Sequence, residues 1–193
     1  MVQGTALYET PAGSVWVLGE IVNPGGSSLE NTQVRVALLD ASGAEVAVVA
    51  AFTALDVIPA GGKSPFGALL VSPPSGATSF GVTVIRAEGS SEPGSRYMPI
   101  AVADQRGALD GLQLHLSGTV VNQGQSSVTD VSVVVTTYDA DGRVTGYRQA
   151  TVGDGRLAAQ AAAQFSVLLV LAGPTGTLPA EYSIVAQGRT HRP

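Results

Sequence analysis

Apolar and polar residues alternate with a period of two through most of the chain, the pattern of half-buried β-strands. Val15, Val17 and Ile21 fall on one side of a stretch containing Gly19, with Ser14, Trp16, Leu18 and Glu20 on the other. Further along, Leu112, Leu114, Leu116 and Val120 do the same around Gly118, opposite Gln113, His115, Ser117 and Thr119. Successive strand side chains point to opposite faces, so the first sets are predicted to face a core and the second sets to face solvent. The next strand repeats the scheme, with Val34, Val36 and Leu38 inward, then Val133, Val135 and Thr137. Later strands are predicted over 45–54, 66–71 and 79–87, and over 143–152, 165–171 and 181–187. Short lead-in strands are expected near 6–8 and 97–102. Valine and threonine enrichment favours strand over helix.

The two sets are copies. Gly19 to Gly43 (GEIVNPGGSSLENTQVRVALLDASG) aligns without a gap on Gly118 to Gly142 (GTVVNQGQSSVTDVSVVVTTYDADG). Roughly eleven of about twenty-five positions are identical, a repeat separated by about 99 residues. The shared positions include Gly19/Gly118, Asn23/Asn122, Asp40/Asp139 and Gly43/Gly142, and the same offset aligns Phe66 with Phe165. Two tandem domains are therefore expected, 1–90 and 96–193, joined by a linker at 91–95. The linker lies within the polar, Gly- and Ser-rich stretch EGSSEPGSR that starts at Glu88. The tail from Gly188 to Pro193 is predicted to be flexible.

Asn-Pro-Gly-Gly-Ser-Ser and Asn-Gln-Gly-Gln-Ser-Ser read as connecting loops, because glycine allows positive φ while Asn and Ser bond locally to backbone. Asp40-Ala-Ser-Gly43 and Asp139-Ala-Asp-Gly142 read as hairpin turns with a left-handed closing glycine. Leu157 to Gln164 (LAAQAAAQ) has high helix propensity. Its counterpart in the first copy, IPAGGKSP, contains breakers, so both segments are read as loops, with room for one helical turn in the second.

Composition narrows the classes. The 193 residues carry a formal charge of −5, with pI near 4.8. Lys63 is the single lysine and the arginines are scattered, so no basic stripe exists for a phosphate backbone or an anionic lipid surface. Cysteine is absent, which removes disulfides and thiolate metal sites. The apolar run Phe165 to Ala172 is far short of the roughly 20 residues of a membrane-spanning helix. The start, MVQGTALYET, has neither the basic nor the apolar region of a signal peptide, which leaves either a cytoplasmic protein or a sequence that begins after a removed signal or anchor.

No catalytic, metal-binding or cofactor-binding constellation is predicted. Asp139-Ala-Asp141-Gly142 has a calcium-like beginning, but Arg143 follows at once and no late bidentate carboxylate completes a ligand set. His115 and His191 cannot build a typical zinc site without cysteine. Ser27-Ser28 and Ser126-Ser127 lie in loops with no equivalently placed histidine. Glu20, Glu30, Asp56, Asp110 and Asp154 show no convergent spacing for glycoside hydrolysis and are expected to solvate the surface. Pro59-Ala-Gly-Gly-Lys63 runs into a strand and lacks a phosphate-loop ending. Trp16, with Leu18 beside it, is the candidate exposed anchor for a partner or a sugar ring, set against the blander expectation that strand twist, the lead-in segment or the second domain covers it. Leu39 and Tyr138 are expected to extend such patches.

Both copies resemble the FxLYD-like bacterial β-sandwich domains. The resemblance rests on Gly19-Glu-Ile-Val-Asn23, Asp40-Ala-Ser-Gly43, Ile58-Pro-Ala-Gly61 and Pro65-Phe66, then on Gly118-Thr-Val-Val-Asn122, Tyr138-Asp139-Ala-Asp-Gly142 and Phe165. The first copy departs at Leu39, where the family has an aromatic, and the second lacks the Pro-Gly loop. The resemblance implies an all-β chain of two tandem immunoglobulin-like antiparallel sandwiches. It further implies a non-enzymatic extracytoplasmic module, secreted, periplasmic or lipid-anchored, whose signal segment lies outside this sequence. The expected partner is a protein or cell-surface component, with a carbohydrate-binding accessory role as the alternative. Fold alone names no partner.

Overall fold

The computed structural model describes residues 1–90, 97–170 and 179–190. All regular structure among them is strand, and the strands pair antiparallel. The chain divides into two compact units, one of Met1–Ser90 with Asp141–Val144, the other of the remainder.

In the first unit β1 (Val2–Glu9), β2 (Val15–Val22) and β6 (Lys63–Leu70) form one sheet, with β2 in the middle. The second sheet is centred on β3 (Ser28–Leu39), flanked by β4 (Glu45–Phe52), the short β5 (Val57–Ile58) and β7 (Ser79–Ser90). The predicted inward residues Val15, Val17, Ile21, Val34, Val36 and Leu38 meet Ile58, Phe66, Ala68 and Leu70 in one buried cluster. Both sheets thus contribute a face to the same core, the arrangement that lets each strand hide one side from water.

The second unit holds β8 (Tyr97–Asp110), β9 (Gln113–Val121), β10 (Val128–Tyr138), β11 (Val144–Thr151), β12 (Ala162–Val170) and β13 (Glu181–Thr190). They run β11-β10-β13-β8-β9-β12 as one sheet. β8 is the joint, pairing with β13 over Tyr97–Ile100 and with β9 over Ala101–Asp110. The sheet therefore curls round its core, nearly a barrel, with Leu114, Leu116, Val133, Val135, Phe165 and Val167 buried together inside.

Several strands outrun the expectation. The lead-ins are full strands, β1 reaching Glu9 and β8 reaching Asp110. β7 continues to Ser90, where Glu88, Gly89 and Ser90 pair with Glu30, Leu29 and Ser28, so the first three residues of the presumed linker stretch are sheet. Backbone pairing with a long neighbour overrides a polar, glycine-containing composition. β13 likewise runs to Thr190 through pairs Arg189–Thr129 and Thr190–Val128, so Gly188 to Thr190 are not a tail. The 91–95 linker and His191 lie outside the described residues. No helical turn forms in Leu157–Gln164: Leu157 bridges to Val128, and the strand resumes at Ala162.

Two features repeat in three dimensions without matching residue identity. Asn31 and Asp130 both take left-handed backbone, at φ 51 and 53, where the registers of β3 and β10 slip. Gly61 (φ 69) and Gln160 (φ 57) do so in the loops before β6 and β12.

Candidate functional site

The most regular constellation is built round the two repeated asparagines. Asn23 is 2% exposed and Asn122 is fully buried. Asn23 Nδ2 donates toward the carbonyl oxygens of Ser27 (2.8 Å), Ile58 (3.0 Å) and Pro59 (3.1 Å), while its Oδ1 accepts from Gly25 N–H at 3.1 Å. Asn122 Nδ2 reaches the carbonyls of Ser126 (2.9 Å), Leu157 (3.4 Å) and Ala158 (2.9 Å), and Oδ1 accepts from Gly124 N–H at 3.0 Å. Each amide ties the loop after one strand to the loop that precedes β6 or β12. The backbone adds Asn23 N–H to Gly62 O and Asn122 N–H to Ala161 O, both 2.9 Å. Buried backbone carbonyls need donors, and an amide offers donor and acceptor at one place.

Gly19 and Gly118 are explained by the rings they face. Gly19 pairs with Phe66, and a Cβ there would stand 2.7 Å from the Phe66 ring and 2.9 Å from Thr5 Cγ2. At Gly118 a Cβ would stand 2.9 Å from the Phe165 ring and 3.0 Å from Ala103 O. The repeated Gly–Phe pair is a packing device that lets an aromatic lie across the neighbouring strand.

The hairpin turn in the first unit forms as expected. Asp40 Oδ1 accepts from Ser42 N–H (2.8 Å), Ser42 Oγ (2.6 Å) and Ala44 N–H (3.0 Å), and Gly43 closes the turn at φ 83. The Ser42 hydroxyl and the backbone donors hold the Asp40 carboxyl below its ordinary value. Glu45 and Glu88 are lowered as well, chiefly by Arg35 on the first and by Asn31 and Arg86 on the second. A carboxyl lowered by folding stabilises the fold above its unfolded pKa and loses that contribution as pH falls through the folded value. The unfolding midpoint is therefore expected to fall on acidification below the ordinary carboxylate range. Asp40→Asn should lower the midpoint at neutral pH and flatten the acid limb, as a thermal melt series would read. In the second turn Gly142 takes φ 74, and Asp141 receives Arg143 Nη2 at 2.7 Å. Among the described residues no group of three His, Cys, Asp or Glu side chains could hold a metal ion.

The proposed anchor changes character. Leu18 is only 4% exposed and Trp16 is half-buried. β2 is the middle strand of its sheet, so Leu18 is flanked by Ala6 and Gly67, and Trp16 by Tyr8 and Leu69. Tyr138 is buried too, with its hydroxyl 3.1 Å from Ser183 Oγ, while Leu39 is half-buried. Glu20, expected in solvent, is 2% exposed and sits between Gln3 Nε2 (2.7 Å) and Lys63 Nζ (3.2 Å). Alternation fixes which side a residue takes, but not whether that side is covered.

A shallow cleft of about 310 Å³ opens on the second unit. Gly118, Phe165, Asp104, Arg106, Thr119 and Gln164 are among the residues that line it. It exists because β8 slips register between Ala103 and Arg106, where Asp104 takes φ 52, and because Gly118 adds no side chain. Its walls can hydrogen-bond a small polar molecule. They supply one carboxylate, so the paired-carboxylate geometry of glycoside hydrolysis is not assembled there. Sequence reasoning missed this cleft, since a bulge at an Asp carries little local signal beyond that residue's tolerance of left-handed backbone.

No protein-family model matches the chain, and no curated protein matches it.

Proposed function

We propose that the chain is a pair of FxLYD-like, immunoglobulin-like β-sandwich units that serves as a non-enzymatic structural or protein-interaction module. Its compartment on this reading is extracytoplasmic, in a bacterial envelope or secreted protein. One observation carries it: the repeated pairs Asn23/Asn122 and Gly19/Gly118 direct their bonds and contacts into their own loops and strands. Repeated side chains spent on their own strands and loops build a scaffold, and a fold by itself supplies no chemistry. Fractionation of the source organism, probed with an antibody to this chain, tests the compartment. Recovery outside the cytoplasmic membrane is expected, and an exclusively cytoplasmic pool would overturn the reading.

The carbohydrate alternative rests on the polar cleft of the second unit. Amide chemical shifts of Thr119 and Gln164 during titration with a glycan panel decide it. Saturable shifts would promote the sugar reading, and unmoved signals would retire it.

A further inference from the structure

We propose that the chain self-associates into a two-fold dimer by pairing its β4 strand with β4 of a second copy. β4 reads EVAVVAAF and, among the described residues, ends its sheet, bonded to β3 on one side only. Ala47, Val49 and Ala51 pack against the core, while Val46, Val48 and Phe52 point outward at 37%, 48% and 59% exposure. Both faces are thus apolar, and Glu45 at the start is the one charge in the strand. Its carboxylate is taken up by Arg35 on β3, with Nη1 to Oε1 at 2.7 Å. An edge strand with no proline and its one charge at the very start is open to addition of another strand.

Of the other edges, β12 (AAQFSVLLV) is also free of charge and proline and β1 has only Glu9 at its end, whereas two are guarded. β6 carries Lys63 and Pro65, and β7 carries the Arg86–Glu88 ion pair. The sharpest contrast is β11, the counterpart of β4 in the second unit. There Tyr147, Arg148, Gln149 and Thr151 replace Val48, Val49, Ala50 and Phe52. Arg148 falls on the same side of its strand as Ala150, which packs against the core. An inward-facing charge at a sheet edge is a known block to strand addition. One unit has this guard and the other lacks it.

The sequence of β4 selects a second copy as the occupant. In an antiparallel pair, opposed residues share a face, and centring the two-fold axis on Val49 matches both faces at once. On the core side Val49 meets Val49 of the second copy, and Ala47 meets Ala51. On the outer side Val48 meets Ala50, and Val46 meets Phe52, so the largest exposed side chain is covered by a β-branched neighbour. Glu45 falls opposite Thr53 of the second copy, and the two acidic groups stay at opposite ends. The result would be a continuous sheet running β7-β3-β4 and back through the second copy.

Sedimentation of the full chain over a micromolar concentration series tests this. A monomer–dimer equilibrium is expected. Val49→Arg copies the guard of the second unit and sets two like charges face to face on the axis. It should weaken the dimer by at least roughly tenfold, with circular dichroism unchanged. Val48→Lys, at an already exposed position, should act the same way. Because the chain has no cysteine, single substitutions report the register. Val49→Cys should oxidise to a covalent dimer, whereas Phe52→Cys, facing Val46, should not. A chain that stays monomeric across the series, Val49→Arg without effect, equal cross-linking of both cysteines, or a ladder of larger species would each overturn the proposal.

Discussion

Asn122→Ala is expected to lower the unfolding free energy by about 3 kcal/mol, and Asn23→Ala by a similar amount. The size follows from what is left behind: up to three carbonyls per site lose a donor, and each unsatisfied buried polar group costs about 1–3 kcal/mol. The full sum is not reached, because truncation leaves room for water at the part-buried loop carbonyls. The isosteric Asn122→Asp separates hydrogen bonding from volume. It keeps the shape but replaces the donating Nδ2 by an oxygen facing carbonyls of Ser126 and Ala158, now 2.9 Å away. It should therefore be at least as damaging as alanine at neutral pH. Denaturant unfolding followed by circular dichroism measures both. An Asp variant as stable as the native chain would show that the amide fills space and no more.

Gly19→Ala and Gly118→Ala form the second large pair, each expected to cost roughly 2–4 kcal/mol through overpacking or displaced strands. The added methyl would meet an aromatic ring at 2.7 Å or 2.9 Å. The ring has nowhere to go, since Phe66 is completely buried and Phe165 is 6% exposed. Coupling is the decisive readout. Phe66→Leu alone should destabilise by losing packing, yet in combination with Gly19→Ala the total loss should be smaller than the sum of the two. A double-mutant cycle with strictly additive losses would mean that the glycine is required for a reason other than the ring. Neither backbone position has positive φ, so conformational freedom cannot substitute for this explanation.

Much of this fold was readable in one dimension. The inward sets around Gly19 and Gly118 are core almost residue for residue, because strand alternation is a local geometric property and needs no knowledge of neighbours. The hairpin at Asp40 was equally local, its carboxylate bonding within four residues. Strand ends were harder: Glu88–Ser90 and Gly188–Thr190 look like loop but are held by pairing to β3 and β10, partners remote in sequence. Burial of the outer face was legible only as an alternative at Trp16, and not at all at Leu18 and Glu20. Ser14, Trp16, Leu18 and Glu20 share one alternation class, yet Leu18 and Glu20 are covered while Trp16 is half-covered.

The candidate sites divide in the same way. The repeat marked Asn23, Asn122, Gly19 and Gly118 as important, and only the tertiary structure revealed that amides brace loops and glycines receive rings. The cleft on the second unit and the bare edge of β4 carried no motif. A cleft depends on where a register slip meets a glycine across strands, and an open edge depends on which strand comes last in a sheet. Taken by itself, the amino-acid order determined two copies of an alternating, valine-rich β unit, because periodicity and duplication are properties of the chain alone. Which strands lie side by side, which outward residues are nevertheless buried, and which edges are left bare were decided by tertiary structure, because those properties belong to pairs of segments distant in sequence.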